Sequence, residues 1–137
     1  MKDFNYNEMF TFNGMEFNES QMSAIRDGLN EGLDVAKYAD PKFDWMQMRS
    51  IVRGLEWGLD VSVYADPKFN SDQMNEILFG LEKSLDVSKY ADPKFTDRQM
   101  HIIRICLENG LDISKHLDLK FGPYDIMMII LELESKL

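Results

Sequence analysis

The chain has little of what most catalytic and metal chemistry needs. It holds one cysteine, Cys106, and two histidines, His101 and His116. A single cysteine cannot close an intrachain disulfide and fits a reducing compartment. Basic residues are scarce, 15 against 24 acidic ones, for a net charge of −9. That deficit argues against direct nucleic-acid binding, which needs clustered lysine and arginine for phosphate contact. No apolar run reaches the roughly 18 residues of a membrane span. The opening "MKDFNYNEMF" has no apolar core of a signal peptide, so a cytoplasmic location is expected. There is no phosphate-binding glycine loop and no serine-centred nucleophile motif. The joint aspartates, Asp34 and Asp40 among them, do not form the D-x-[DN]-x-[DN]-G calcium pattern. Cys106 with a histidine could in principle form a nucleophile pair, but a small filler cysteine and a solvated histidine are the ordinary reading. No catalytic residue, metal or cofactor is assigned, and a non-enzymatic protein is expected.

The sequence does contain a repeat. "YADPKF" stands at 38–43, 64–69 and 90–95, a spacing of 26 residues. Aligned on Phe17, Phe43, Phe69, Phe95 and Phe121, the chain divides into four units, 17–42, 43–68, 69–94 and 95–120, and a half unit, 121–137. Periods of this length signal a solenoid or array. Each unit opens with a helix start. Asn18, Asp44, Asn70 and Thr96 are N-caps, and Gln21, Gln47, Gln73 and Gln99 three residues later complete capping boxes. Phe43 and Met48 then sit at the two ends of a hydrophobic staple. In the half unit Pro123 suits the first helical position. Met22, Ile25, Leu29 and Leu33, and their equivalents in later units, fall on one helical face and are the expected core. Gly28, Gly54 and Gly80 lie beside that face, each at a cost of about 1 kcal/mol against alanine. Close backbone approach by a neighbouring helix is the expected reason. Gly32, Gly58 and Gly110 fit helix stops.

A second, short helix should follow each long one, capped by Asp34, Asp60, Asp86 and Asp112, with Val35, Tyr38 and Ala39 pointing inward. The Asp-Pro pair then ends it. "YADPKF" is therefore read as a joint: Tyr and Ala pack, Asp-Pro breaks, Lys is solvated, and Phe staples the next helix. The expected fold is all-α, an α-solenoid of long-helix/short-helix repeats over 17–137 with atypical terminal units as caps. Residues 1–16 form an N-terminal cap. Within it "FTFNGMEF" alternates around Asn-Gly, a hairpin signal, and the alternative is an irregular arm.

The pattern F-x-x-x-Q-M-x-x-I-x-x-G-L-E-x-G-L-D-V-S-x-Y-A-D-P-K resembles a short helical repeat of hypothetical proteins from gut Firmicutes and their mobile elements. The likeness spans 17–137 and implies helical repeats without an agreed activity. Some small acidic proteins of such elements inhibit host defence, anti-CRISPR proteins among them.

The positions that vary between units are the fourth, eighth, eleventh and fifteenth, and they fall on one helical face away from the expected core. They hold Met46, Arg53 and Trp57 in the second unit, with Trp45 alongside. The third unit holds Glu76, Phe79 and Lys83, and the fourth Arg98, Ile102 and Ile105. Aromatics, methionine and arginine together are enriched at protein interfaces. These ten residues are the expected binding site for another protein. The alternative is that neighbouring elements or a second copy cover this face. The apolar "MMIILELESKL" at the C-terminus also points to homodimerisation. A second functional reading is an anti-defence inhibitor whose acidic surface occupies a host effector.

Overall fold

The computed structural model describes residues 9–118 and 120–137. Of the expected N-terminal cap, residues 1–8 lie outside the described residues. The described part is mostly helical, with one small hairpin. Its order is β1 (Met9–Phe12), β2 (Met15–Asn18), α1 (Glu19–Asn30), α2 (Trp45–Glu56), α3 (Ser71–Glu82), α4 (Asp97–Glu108) and α5 (Pro123–Glu134). Two compact units are present, one ending at Met74 and the other running from Asn75 to Leu137.

The hairpin forms where the Asn-Gly signal places it. Asn13 (φ 51°) and Gly14 (φ 77°) both occupy the left-handed region, as a type I′ turn requires. Met9 pairs with Asn18 and Phe12 with Met15. β2 runs on through Phe17 and Asn18, which the repeat alignment assigns to the first helical unit. Phe17 is fully buried and the hairpin packs on α1, with the Arg26 guanidinium 5.1 Å from the Phe10 ring centre. A two-stranded ribbon is marginal alone, and this one is held by α1.

The capping boxes form as the sequence predicts. Asn18 Oδ1 accepts from the Gln21 amide at 2.8 Å while Gln21 Oε1 accepts from the Asn18 amide at 2.9 Å. Asp44 and Gln47, Asn70 and Gln73, and Thr96 and Gln99 repeat the exchange. The glutamine has a further role. Gln21 Nε2 donates to the Phe43 carbonyl at 2.7 Å, and Gln47 Nε2 to the Phe69 carbonyl at 2.6 Å. The same side chain therefore starts its own helix and ties down the start of the next. Aspartate or glutamate could do only the first, having no N–H to donate.

Each joint is a single turn of 3₁₀ helix, Val35–Lys37, Val61–Val63, Val87–Lys89 and Ser114–His116. The joint aspartate closes a local turn: Asp40, Asp66, Asp92 and Asp118 accept from the backbone N–H two residues on, each at 2.9 Å. The joint lysine does more than dissolve in water. Lys68 and Lys94 stand 5.3 and 5.1 Å from the ring centres of Phe69 and Phe95.

Two expectations about packing are corrected. The mid-helix glycines do not face a neighbouring helix backbone. A Cβ on Gly28, Gly54 or Gly80 would meet the joint tyrosine hydroxyl of its own unit at 2.0 to 2.1 Å and the joint valine at 2.7 to 2.8 Å. Through that opening Tyr38, Tyr64 and Tyr90 each reach a helix carbonyl, of Ala24, Ser50 and Glu76, at 2.7, 2.8 and 2.6 Å. The second correction follows from the first. The joint draws the buried arc toward the eighth, ninth and twelfth positions, so Ala24 and Ser50 are buried while Leu29 is half exposed. Leu33 and its equivalents lie past the helix ends. Leu33 N–H closes the stop on the Gly28 carbonyl at 2.8 Å, with Gly32 at φ 72°.

Candidate interaction surface

In the first compact unit, α2 buries Gln47, Met48, Ser50, Ile51, Val52 and Gly54. The remaining arc carries Trp45, Met46, Arg49, Arg53 and Glu56, with Trp57 at the C-cap, and the large apolar members are well exposed: Trp45 42%, Met46 53% and Trp57 44%. Arg49 Nη1 is 2.9 Å from Asp27 Oδ2 on α1, with both side chains over 40% exposed. Arg53 is exposed and makes no ion pair among the described residues. Four of the ten predicted residues, Trp45, Met46, Arg53 and Trp57, thus form one stripe. Arg49, half-buried beside it, was missed because its place in the unit is not one of the four variable positions.

In the second compact unit the predicted residues part company. Glu76 is not an outward charge. Arg104 Nε donates to Glu76 Oε2 at 2.8 Å, and Arg104 Nη1 donates to Glu108 Oε1 at 2.6 Å. These side chains are only 10 to 20% exposed. His101 Nδ1 lies 3.2 Å from both Glu76 Oε1 and Arg104 Nη2. Phe79 is half-buried, with the Arg104 guanidinium 5.5 Å from its ring centre. The carboxylates of Glu76 and Glu108 hold the Arg104 guanidinium more firmly protonated than usual. Lys83 is exposed and 3.7 Å from Glu108. Glu76 and Phe79 therefore belong to a folded cluster around Arg104. Sequence periodicity could not show this, because Arg104 occupies a position filled by Val52 and Leu78 in the two units before it.

Arg98, Ile102 and Ile105 border α5. Arg98 and Ile102 line a groove of about 300 Å³ with Phe121, Pro123 and Ile126. Ile105 lines another of about 250 Å³ with Cys106, Leu111 and Ile130. Burial pushes the Cys106 thiol above its ordinary range, which makes it a poor nucleophile at neutral pH. His116 is exposed.

α5 carries a surface not among the ten. Only Ile126 is buried, while Tyr124, Met127, Met128 and Leu131 are about half exposed or more. The signal was the run "MMIILEL", apolar at nearly every helical position. Among the described residues no three His, Cys, Asp or Glu could hold a metal ion, and no helix is long and apolar enough to cross a membrane. Comparison with family models, curated proteins and solved structures found no match for this chain.

Proposed function

We propose that this protein is a non-enzymatic α-solenoid that binds another protein through the exposed outer face of its long helices, with the α2 stripe as the anchor. One observation carries the reading. Trp45, Met46 and Trp57 are all more than 40% exposed on one side of α2 and its C-cap, around Arg53, which makes no ion pair among the described residues. Large aromatics beside arginine are what interfaces concentrate. On the second compact unit, taken by itself, Lys83, Arg98, Ile102 and Ile105 are the remaining candidate contact residues, with Glu76 and Phe79 held in the cluster around Arg104. Capture of a partner from the source cell tests the proposal. Trp45→Ala with Trp57→Ala should abolish capture and leave the helical circular dichroism unchanged. Capture that persists would contradict it.

The net charge of −9 supports a second reading, an acidic mobile-element inhibitor that blocks a nucleic-acid-binding defence effector. Binding would then weaken steeply with salt. Salt-insensitive binding that depends on Trp57 favours the first reading.

A further inference from the structure

Asn13 and Asn109 are the asparagines that precede a glycine. Asparagine is a chemically labile side chain, most so before glycine, whose nitrogen has no neighbouring Cβ to shield it. Both pairs are exposed. Gly14 and Gly110 both stand in the left-handed region, at φ 77° and 79°. Exposure and sequence therefore do not separate the two pairs, but their surroundings do.

At the end of α4 the groups are tied. Asn109 Nδ2 donates to the Ile105 carbonyl at 2.8 Å, and the Gly110 N–H donates to the Leu107 carbonyl at 3.0 Å. The Leu111 N–H donates to the Cys106 carbonyl at 2.8 Å, and the side chains of Leu111 and Ile113 are buried. At the hairpin tip, neither the Asn13 carboxamide nor the Gly14 N–H has a hydrogen bond among the described residues. Behind the tip stands the Phe12–Met15 pair, with Met15 37% exposed, in a two-stranded ribbon that is marginal by itself. For the glycine nitrogen to reach the asparagine side chain, the backbone must swing it toward Cβ. The type I′ turn at Asn13 and the ψ of 13° at Asn109 both hold it away, so each turn must open first. The tip opens by releasing one strand pair. The helix end must give up its stop and its buried Leu111.

We infer that Asn13 is the site of spontaneous deamidation in this chain and that the fold spares Asn109. The Gly14 nitrogen attacks Asn13 Cγ. The N–Cγ bond forms, the Cγ–Nδ2 bond breaks, and ammonia leaves with the Gly14 proton. Water then opens the cyclic imide at either carbonyl, giving aspartate or isoaspartate. Isoaspartate routes the backbone through Cβ and lengthens a loop built for two residues, the loop that sets the register of β1 on β2. The inference stands apart from the reading of α2 as a docking face.

Ageing the full chain at mildly alkaline pH, with peptide mapping by mass spectrometry and an isoaspartyl methyltransferase assay, tests it. The peptide holding Asn13 should gain one mass unit and become methyl-accepting about tenfold faster than the peptide holding Asn109. In urea, where neither turn is formed, the two should convert at about the same rate. The isoaspartyl chain, separated from the parent by its charge, should exchange its β1 amide hydrogens faster than the parent does. Asn109 converting as fast as Asn13 in the folded chain would overturn the inference. So would an Asn13 that stays intact in the folded chain while it converts in urea. Unchanged β1 exchange in the isoaspartyl chain would contradict the loss of register.

Discussion

The second and fourth repeats run on the same plan and solve one problem differently. In the second, Gly54 leaves room for Tyr64, whose hydroxyl donates to the Ser50 carbonyl. In the fourth, Cys106 fills the glycine position, His116 replaces the tyrosine and faces water, and Ile113 is wholly buried where the second has Val61. The helix and its joint change together because each occupies space the other would need. The fourth also replaces buried Val52 with Arg104, which is nine-tenths buried and held by Glu76 and Glu108. The difference teaches that a repeat's interior tolerates exchange only in matched sets.

Breaking the fourth repeat's set should have the largest effect. Arg104→Ala takes the guanidinium from two largely buried carboxylates, leaving Glu108 to Lys83 and Glu76 to His101, and should cost about 3 kcal/mol in urea unfolding. Transplanting the difference comes next. Gly54→Cys alone places a side chain against the Tyr64 hydroxyl and should cost about 2 kcal/mol. Adding Tyr64→His should recover most of that loss, whereas additive losses would sever the link between the two positions. Tyr64→Phe, which keeps the shape and removes one buried hydrogen bond, should cost about 1 kcal/mol.

High pH separates the same repeats without mutation. Burial raises Tyr38 from 10.0 to about 12, and Tyr64 and Tyr90 are also pushed up by burial. The folded chain holds these hydroxyls protonated more firmly than the unfolded chain does. Their contribution is therefore complete below pH 10 and is lost as pH climbs from 10 toward 12 and beyond. Tyrosinate absorbance should rise together with loss of helical signal. The fourth joint, carrying His116, takes no part.

The smallest effect sharpens the comparison of helix stops. Ser84 stands at φ 58° where the other repeats carry Gly32, Gly58 and Gly110. Ser84→Gly should stabilise the chain by about 0.5 kcal/mol.

Much of this was legible from local chemistry. The long-helix caps, the glycine stops and the Asn-Gly hairpin depend on residues a few places apart, and the structure has them where the sequence predicts them; among the short helices Asp34 makes no cap bond, and Ile113 rather than Asp112 stands at the N-cap of the fourth. The purpose of Gly54 was not legible, because its reason is a tyrosine ten residues on that arrives only when the joint folds back. Glu76 was misplaced for a similar reason: periodicity turns it outward, and only Arg104, in the following repeat, brings it in. The second bond of Gln21, to the carbonyl of Phe43, was equally hidden, since the capping box alone explains its presence. Trp45, Met46 and Trp57 are exposed, as the periodicity predicts.

Tryptophan fluorescence of the dilute, monomeric chain tests the central claim most directly, since one indole opens α2, the other stands at its C-cap, and the sequence has no third. The account predicts red-shifted emission, ready quenching by iodide, and urea unfolding that the Trp45→Ala, Trp57→Ala chain shares with the parent to within about 1 kcal/mol. Blue-shifted emission that iodide cannot reach in the folded monomer would contradict it.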